Sequence, residues 1–299
     1  QPIGAILSNG TLRGQHAAEI AAFASAGYDG VIIDYRDLPA EQRENFTAFM
    51  RDLRSRMATT GLQIGIVVPG AQNIDGVWNT GAYDWRALGQ LVDLMEINLA
   101  ADPSIFAPSG DGQVALVEAR LRWGIGEVSR QKLLIGVSAL SARQVGSDVV
   151  AVGYDEALSS LGDVEVDAEI TDAGTILPGT VIEARLDGFR GVPGVIEGTA
   201  LSFIDYQDAS SAPIARMWLG NADALRYRMD RTIPFALSGV GFDDLLDGGV
   251  AGGVLNAILD YKLNTPAAPA PAELALRWRI EGTNGLISET TTALDEPLI

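Results

Sequence analysis

Short apolar runs alternate with amphipathic segments of helical spacing from residue 2 to about residue 263, and this alternation constrains the fold more than any other feature. The run at 29–35 has a nearly unbroken apolar centre, which is typical of a strand buried on both faces of a parallel sheet. The segment 41–57 that follows places Phe, Met and Leu at spacings of three and four residues, which predicts a helix with one face on the core. Strands and helices in this order predict an α/β fold with a parallel sheet.

The same patterns predict the remaining elements up to residue 263. Further strands are predicted at 3–7, 62–68, 94–99, 132–140 and 235–242, and further helices at 15–26, 85–92, 114–125 and 252–261. Between residues 147 and 231 apolar and polar residues alternate with period two instead, which predicts a small antiparallel β insertion. The insertion therefore separates a first part of the sheet, 1–146, from a closing strand and helix at 232–263.

The C-terminal part of the chain has a different character. Residues 264–272 are rich in proline and alanine, which predicts a semi-rigid linker, and 273–299 read as the start of a β domain or as a docking hairpin. Asn284-Gly285 is the dipeptide that best signals a tight hairpin turn. A hairpin by itself is only marginally stable and leaves one apolar face, which includes Trp278, without cover. We therefore expect this β segment to contact a neighbouring protein domain or chain.

The composition excludes several classes of function. The chain has 21 basic and 39 acidic residues, a net charge of −18, which disfavours binding to nucleic acid, and no apolar run is long enough to insert into a membrane. It has no cysteine and one histidine, His16, so thiol chemistry and multi-histidine metal sites are excluded, and we predict no metal and no cofactor. His16 is expected to be a surface or capping residue. The chain begins at Gln1 and stops at Ile299 in strand-like sequence, so we expect a piece of a longer protein.

The predicted strand at 29–35 and the residues after it, Asp29-Gly-Val-Ile-Ile-Asp-Tyr-Arg-Asp-Leu-Pro39, resemble glycoside hydrolase family 18, which includes chitinases and spore-cortex glycosidases. The resemblance continues in the same order along the chain through 78–85, 92–97, 132–137 and 217–221. It implies a TIM-barrel-like (β/α) fold in which 29–35 is the fourth strand. Because only the predicted strand at 3–7 precedes it, the first two strands of an eight-stranded barrel have no counterpart here.

The chain departs from the family at its catalytic motif. The fourth strand of the family reads D-G-x-D-x-D-x-E; this sequence keeps Asp29 and Asp34 but has Ile32 at the inner aspartate and Arg36 at the glutamic acid. In the family that glutamic acid protonates the leaving oxygen, while the neighbouring aspartate orients the acetamido group of the substrate. A guanidinium group stays charged and has no proton to give, so Arg36 cannot be a general acid.

Three further family positions are replaced. The sixth strand of the family ends in a tyrosine and an aspartate that help to hold the acetamido group, and Ala100 and Ala101 stand at those positions. The tryptophan that commonly floors the sugar site after the eighth strand is Asp243. No catalytic residue is therefore expected, and the leading hypothesis is a catalytically silent domain that is a structural or carbohydrate-contacting module of a larger extracellular protein.

Two other hypotheses remain open. The first is an active glycosidase on N-acetylhexosamine polymers such as peptidoglycan or chitin, with Asp34 or Asp37 as a displaced acid; the second is a purely structural unit of an assembly. We expect Arg36 at the mouth of the barrel, paired with one of those two aspartates. If cell-wall polysaccharide is a partner, the candidate contact residues are Asp34, Tyr35, Asp37, Trp78 and Tyr83.

Overall fold

The computed structural model of the protein describes residues 2–99, 102–108, 113–159, 163–168, 180–187, 191–207, 213–265, 275–282 and 285–293. The chain forms two compact units, Gln1–Pro266 and Ala267–Ile299. The helices are α1 (Ile3–Ser8), α2 (Gly10–Ala24), α3 (Arg43–Met57), α4 (Trp85–Leu91), α5 (Gln113–Glu127), α6 (Tyr154–Ser159), α7 (Ala222–Met229) and α8 (Val254–Asn264).

The strands up to the insertion are β1 (Gly30–Ile33), β2 (Gln63–Pro69), β3 (Gln72–Ile74), β4 (Val77–Asn79), β5 (Leu94–Asn98) and β6 (Leu133–Gly136). The strands of the insertion are β7 (Ser141–Val145), β8 (Asp148–Val152), β9 (Asp163–Ala168), β10 (Ile182–Asp187), β11 (Gly191–Val195), β12 (Ser202–Gln207) and β13 (Pro213–Trp218). The last strands are β14 (Gly239–Gly241), β15 (Ala275–Gly282) and β16 (Gly285–Ala293).

A five-stranded parallel sheet, in the order β1-β2-β5-β6-β14, forms the centre of the first unit. Met95 and Ile97 of β5 are fully buried, whereas Glu96 and Asn98 between and after them point to the opposite face and are partly exposed. The α3 helix packs its apolar stripe into the core, as its spacing predicts; the buried side chains are Phe46, Phe49, Met50, Leu53 and Met57. Burial of each such side chain stabilises the fold by about 1.5–3 kcal/mol.

The face of the sheet that does not carry these helices is open near β1. Ile32 points to this face and is 70% exposed, while its neighbour Ile33 is buried. Within the described residues, β1 and β14 each pair with one neighbour only, so the sheet has two edges and does not close into a ring.

The insertion is an antiparallel sheet, which confirms the prediction from its period-two pattern. Its five strands lie in the order β11-β12-β13-β7-β8, and β9 pairs with β10 in a separate antiparallel ribbon. One face carries a small core of its own, formed by Val152, Ala157, Ile204 and Met217. The first strand of this sheet begins at Ser141, earlier than the predicted start of the insertion at residue 147, because the parallel strand before it ends at Gly136.

Three local predictions were wrong. Residues 3–7 form a helix, α1, because a five-residue apolar run that contains Gly4 and Ala5 lacks the β-branched residues that distinguish a strand from a buried helix. Consequently no strand precedes β1 in the described part of the chain. The strand predicted at 235–242 is limited to β14, because a 3-10 helix that contains Pro234 occupies Asp230–Phe235 and Ala236 has a left-handed conformation.

The third error concerns His16. It is partly buried in the middle of α2, its ring stacks on Phe49 at 5.5 Å between ring centroids, and its Nε2 atom lies 2.5 Å from the hydroxyl oxygen of Tyr35. A side chain so placed belongs to the packing between α2, α3 and β1, and is neither a surface residue nor a helix cap.

The second unit contains an antiparallel hairpin of β15 and β16, as the sequence predicts. Trp278 lies opposite Thr290 in its register. Residues 266–272 of the predicted linker and Asn284 of the predicted turn lie outside the described residues. Among the helices that the structure describes, none is both long enough and apolar enough to span a bilayer.

Candidate functional site

The carboxyl ends of the parallel strands form the mouth of the sheet, and polar residues collect there. Arg36 follows β1, Asn98 ends β5, Ser138 follows β6, and Asp243 and Asp244 follow β14. Ligand sites of α/β proteins lie at this end of the sheet, because the loops that follow the strands converge there.

Arg36 is the centre of the mouth. Its Nε atom lies 2.9 Å from each carboxylate oxygen of Asp34, and its Nη2 atom lies 2.7 Å from Asp34 Oδ2 and 2.6 Å from Asp243 Oδ2. The hydrogen bonds that Arg36 donates to Asp34, and secondly to Asp243, raise the pKa of Arg36 above its ordinary value. The expected pairing with Asp34 is therefore present, and Asp243, for which the resemblance predicts the family's tryptophan position, is a second partner.

Asp244 fixes the loops on the other side of the mouth. It accepts a hydrogen bond from the hydroxyl of Ser138 and another, at 2.8 Å, from the backbone N–H of Ala139. The carboxylate thereby joins the loop after β6 to the loop after β14. Asp243 and Asp244 are adjacent in sequence, but Asp243 pairs with Arg36 whereas Asp244 connects the two loops.

Glu96 is the titratable residue that sequence reasoning missed. Its carboxyl group lies over Gly136 of the neighbouring strand β6 and over Gly241 of β14, the strand beyond it, and a Cβ atom at either glycine would overlap a carboxyl oxygen. The Oε1 atom is buried and has no hydrogen-bond partner among the described residues. Burial, and to a lesser extent the charges of Asp243 and Asp34, raise the pKa of Glu96 to about 7, although the charge of Arg36 opposes the rise.

A sequence signal for Glu96 exists, although it is weak. Glu96 interrupts the apolar run of a strand that is otherwise buried, and the strands on that side of it end in glycines at 136 and 241. Small residues opposite a charged one in adjacent strands indicate that the long side chain lies across them. The contact between Glu96 and the two glycines depends on the pairing of β6 with both β5 and β14.

The predicted carbohydrate contacts do not gather at the mouth as one surface. Tyr83 is 2% exposed, and its hydroxyl donates a hydrogen bond to the backbone oxygen of Tyr35. The Tyr35 hydroxyl in turn is held by His16. Trp78 stacks on Trp123 and lines a separate groove.

The other predicted positions have distinct environments. Asp37 follows Arg36 with a left-handed φ of 58°, which aspartate tolerates better than most residues. Asp29 is exposed, and its backbone oxygen accepts a hydrogen bond from the N–H of Gln63. Ala100 and Ala101 lie outside the described residues.

Arg36 borders two cavities. One, of about 380 Å³, lies towards β2 and includes Asp37, Val67 and Asn98 in its lining. The other, of about 230 Å³, lies towards β14 and includes Asn98, Gly136 and Asp243. The guanidinium group therefore stands between two halves of the cleft. No cluster of three or more potential metal-ligating side chains occurs in the part of the chain that the structure describes.

Known proteins that resemble this chain in sequence or in fold include a glycosylase and chitinases. No family model matches the sequence. The chain is 30% identical over 139 residues to the "Putative sporulation-specific glycosylase YdhD" of Bacillus subtilis. The match includes 44% of this chain and 32% of that protein, so it spans about a third of the length of the curated relative.

Solved structures show the same fold. A chitinase from Chromobacterium violaceum aligns with a TM-score of 0.61 at 19% identity, over 84% of this chain and 71% of that one. A glycoside hydrolase family 18 N-acetylglucosaminidase from Paenibacillus barengoltzii aligns with a TM-score of 0.56 at 16% identity, over 86% and 77%. The first unit therefore has a family-18-like, TIM-barrel-like α/β fold, as the resemblance implies.

Proposed function

We propose that this chain is a glycosidase-like domain without hydrolytic activity, which is a structural or carbohydrate-contacting module of a larger extracellular protein. One observation carries the proposal: Arg36 stands where the family has its glutamic acid, and it is held there by Asp34 and Asp243. A guanidinium with two carboxylate partners cannot give a proton to a leaving oxygen.

Two of the replaced positions, 36 and 243, carry residues of opposite charge that pair with each other, which supports the proposal. Arg36 and Asp243 are separated by 207 positions in sequence, and each is a departure from the family pattern, yet their side chains form an ion pair. A cation at the mouth needs a counter-charge, and an aspartate at the tryptophan position supplies it. The mouth is thus organised around the ion pair and lacks an acid at the family position.

The extracellular and multidomain parts of the proposal have separate support. The name of the Bacillus relative refers to a sporulation-specific glycosylase, which favours a role on a polysaccharide outside the cytoplasm. Among the described residues, β15 and β16 pair only with each other, and isolated two-stranded hairpins are marginally stable. We infer that a neighbouring domain or chain completes this β segment.

The direct test is a hydrolysis assay with chitin oligosaccharides and with peptidoglycan. The unmodified protein should give product at the rate of a blank without protein. Arg36→Glu, alone or with Ile32→Asp, should not restore turnover, because Ala100 and Ala101 remain where the family holds the acetamido group. Turnover by the unmodified protein well above the blank would refute catalytic silence.

A second candidate, an active glycosidase on N-acetylhexosamine polymers, is favoured by one observation. The pKa of the Glu96 carboxyl group is raised to about 7, so this group can hold a proton near neutral pH, as a general acid must. Its Oε1 atom has no hydrogen-bond partner in the described structure. Asp34 suits this role less well, because both its oxygens accept hydrogen bonds from Arg36. If this candidate is right, the unmodified protein hydrolyses sugar and Glu96→Gln abolishes the activity.

A further inference from the structure

A groove of about 380 Å³ lies beside the hairpin of β3 and β4, outside the mouth of the sheet. Three tryptophans line it: Trp78 from the hairpin, Trp85 from α4 and Trp123 from α5. The apolar side chains of Ile74 and Val77 add to its wall, and they are 51% and 69% exposed. Exposed apolar groups at a concave aromatic surface mark a place where a ligand can be bound.

The tryptophans form a continuous stack. Trp78 and Trp123 lie parallel within 17°, with ring centroids 5.5 Å apart, and Trp123 and Trp85 follow at 5.1 Å and 44°. Trp85 is buried at 1% exposure, whereas Trp78 and Trp123 are only partly buried. The rings are therefore anchored in the core at one end and open to solvent at the other.

The hairpin that carries Trp78 has a defined turn. Asp75 and Gly76 both have left-handed φ angles, of 51° and 83°, and the N–H of Gly76 donates a hydrogen bond to the side chain of Asn73. Two consecutive left-handed residues form the two-residue turn that best matches the twist of a β-hairpin. The groove is thus preformed, which lowers the entropy lost when a ligand binds.

The charges around the groove are already neutralised within the protein. Arg43 lies 3.5 Å from Asp84, and it donates a hydrogen bond of 2.9 Å to the hydroxyl of Thr80. Glu127 is paired with Arg86 at 3.0 Å. Each of the charged residues that line the groove thus has a partner of opposite charge, which favours an uncharged ligand.

One buried donor is left over. The Nε1 atom of Trp85 is buried and has no hydrogen-bond partner among the described residues, although Trp85 lines the groove. A buried N–H without an acceptor costs about 1–3 kcal/mol. Because Trp85 is only 1% exposed, this donor lies at the buried end of the three tryptophans, and the binding surface of the groove is formed by the partly exposed Trp78 and Trp123.

The groove adjoins the mouth. Asn79 and Thr80 line both the groove and the larger cavity beside Arg36. We propose that the groove binds a ring of an uncharged oligosaccharide, with the apolar face of the sugar against Trp78 and with the rest of the chain directed towards the mouth. The inference rests on the carbohydrate-contacting form of the proposed function and gives that contact a position.

The test measures the binding of tetra-N-acetylchitotetraose by calorimetry and by tryptophan fluorescence. Trp78→Ala should weaken binding by tenfold or more, and Trp78→Phe by less, because a phenyl ring keeps part of the stacking surface. Val77→Arg offers a second variant, because it changes an exposed side chain at the wall of the groove without altering the tryptophan stack. The matched control is Phe23→Ala, which removes an exposed aromatic of α2, 63% exposed, that does not line the groove.

The outcomes separate this inference from the proposed function. If the unmodified protein binds the tetrasaccharide and both Trp78→Ala and Val77→Arg bind it equally well, the groove is not the site. If the unmodified protein shows no binding at millimolar sugar, the groove proposal is also wrong, yet catalytic silence stands. If the sugar is cleaved during the measurement, the proposed silence fails regardless of which variants bind.

Discussion

Arg36 Nη2 lies 2.6 Å from Asp243 Oδ2, and these two residues follow β1 and β14, the two edge strands of the parallel sheet. For their side chains to meet, the five strands must curve until the carboxyl ends of the outermost two come within reach of one ion pair. The sheet therefore keeps the curvature of a barrel although five strands do not close one. The ion pair joins its two edges at the mouth.

We expect this ion pair to contribute little to stability. Both side chains are about half exposed, at 53% and 52%, so Asp243→Ala should lower the free energy of unfolding by only about 0–1 kcal/mol. Asp244→Ala should cost more, about 1–3 kcal/mol, because it leaves Ser138 and the buried Ala139 N–H without their acceptor. Urea denaturation of the two adjacent variants tests the order; an equal or larger loss for Asp243→Ala would contradict it.

The raised pKa of Glu96 predicts a pH dependence of stability. The pKa of Glu96 is about 7 in the folded protein and near its ordinary 4.5 when unfolded, so the folded state holds the extra proton between these values. Stability should then fall as the pH rises from about 4.5 to 7 and level off above 7. After allowance for partial exposure, the change from this group is about 1–2 kcal/mol.

Glu96→Gln isolates that contribution. The variant keeps the shape of the side chain and cannot ionise, so it should be more stable than the unmodified protein at pH 8 and nearly equal to it at pH 4. The difference between the two unfolding curves, measured from pH 4 to pH 8, removes the contributions of the other carboxyl groups. A difference that does not change with pH would show that Glu96 titrates normally.

The two glycines beneath Glu96 give a prediction of steric coupling. Gly241→Ala should destabilise the protein by about 1 kcal/mol, because its Cβ would overlap the Glu96 carboxyl group and the flexible end of that side chain would have to move. Glu96→Ala should remove most of that cost, so the double variant should show an interaction energy of about 0.5 kcal/mol or more. Gly126→Ala is the control, since a Cβ there meets no atom within 4 Å. Additive effects of the Gly241 and Glu96 changes would contradict the geometry.

The exposure of Ile32 predicts tolerance at a motif position. Ile32→Asp should change the free energy of unfolding by less than about 0.5 kcal/mol, because the side chain is 70% exposed. Ile33→Asp, one residue further, should cost several kcal/mol, since that side chain is buried. A large loss for Ile32→Asp would mean that another part of the protein covers this face.

The sequence predicted the parallel sheet because strands buried on both faces appear as short apolar runs between amphipathic helices. The β2, β5 and β6 strands and the α3 helix were found in this way. The α1 helix was missed because five apolar residues carry too little periodicity to separate helix from strand. The antiparallel insertion was recognised because alternation with period two persists over several segments.

The candidate site was predicted only in part. Arg36 and Asp34 are two positions apart, so their pairing could be expected from sequence, whereas Asp243 lies 207 positions from Arg36 and entered only through the resemblance. Prediction of the Glu96 contacts requires the register of three strands. Prediction of the tryptophan stack requires the packing of α4 and α5 against a hairpin. Such contacts depend on how distant segments meet, which one sequence does not record.

The ion pair between Arg36 and Asp243 also restricts the order in which mutations could bring this domain to the catalytic pattern that family 18 has. A single change of Arg36 to glutamate would place a third carboxylate beside Asp34 and Asp243, with the Glu96 carboxyl group also nearby. Mutual repulsion would disfavour that intermediate, whereas replacing Asp243 first leaves Arg36 with Asp34 as its partner. Of the two routes, the one that begins at position 243 therefore avoids the cluster of like charges that the other one passes through.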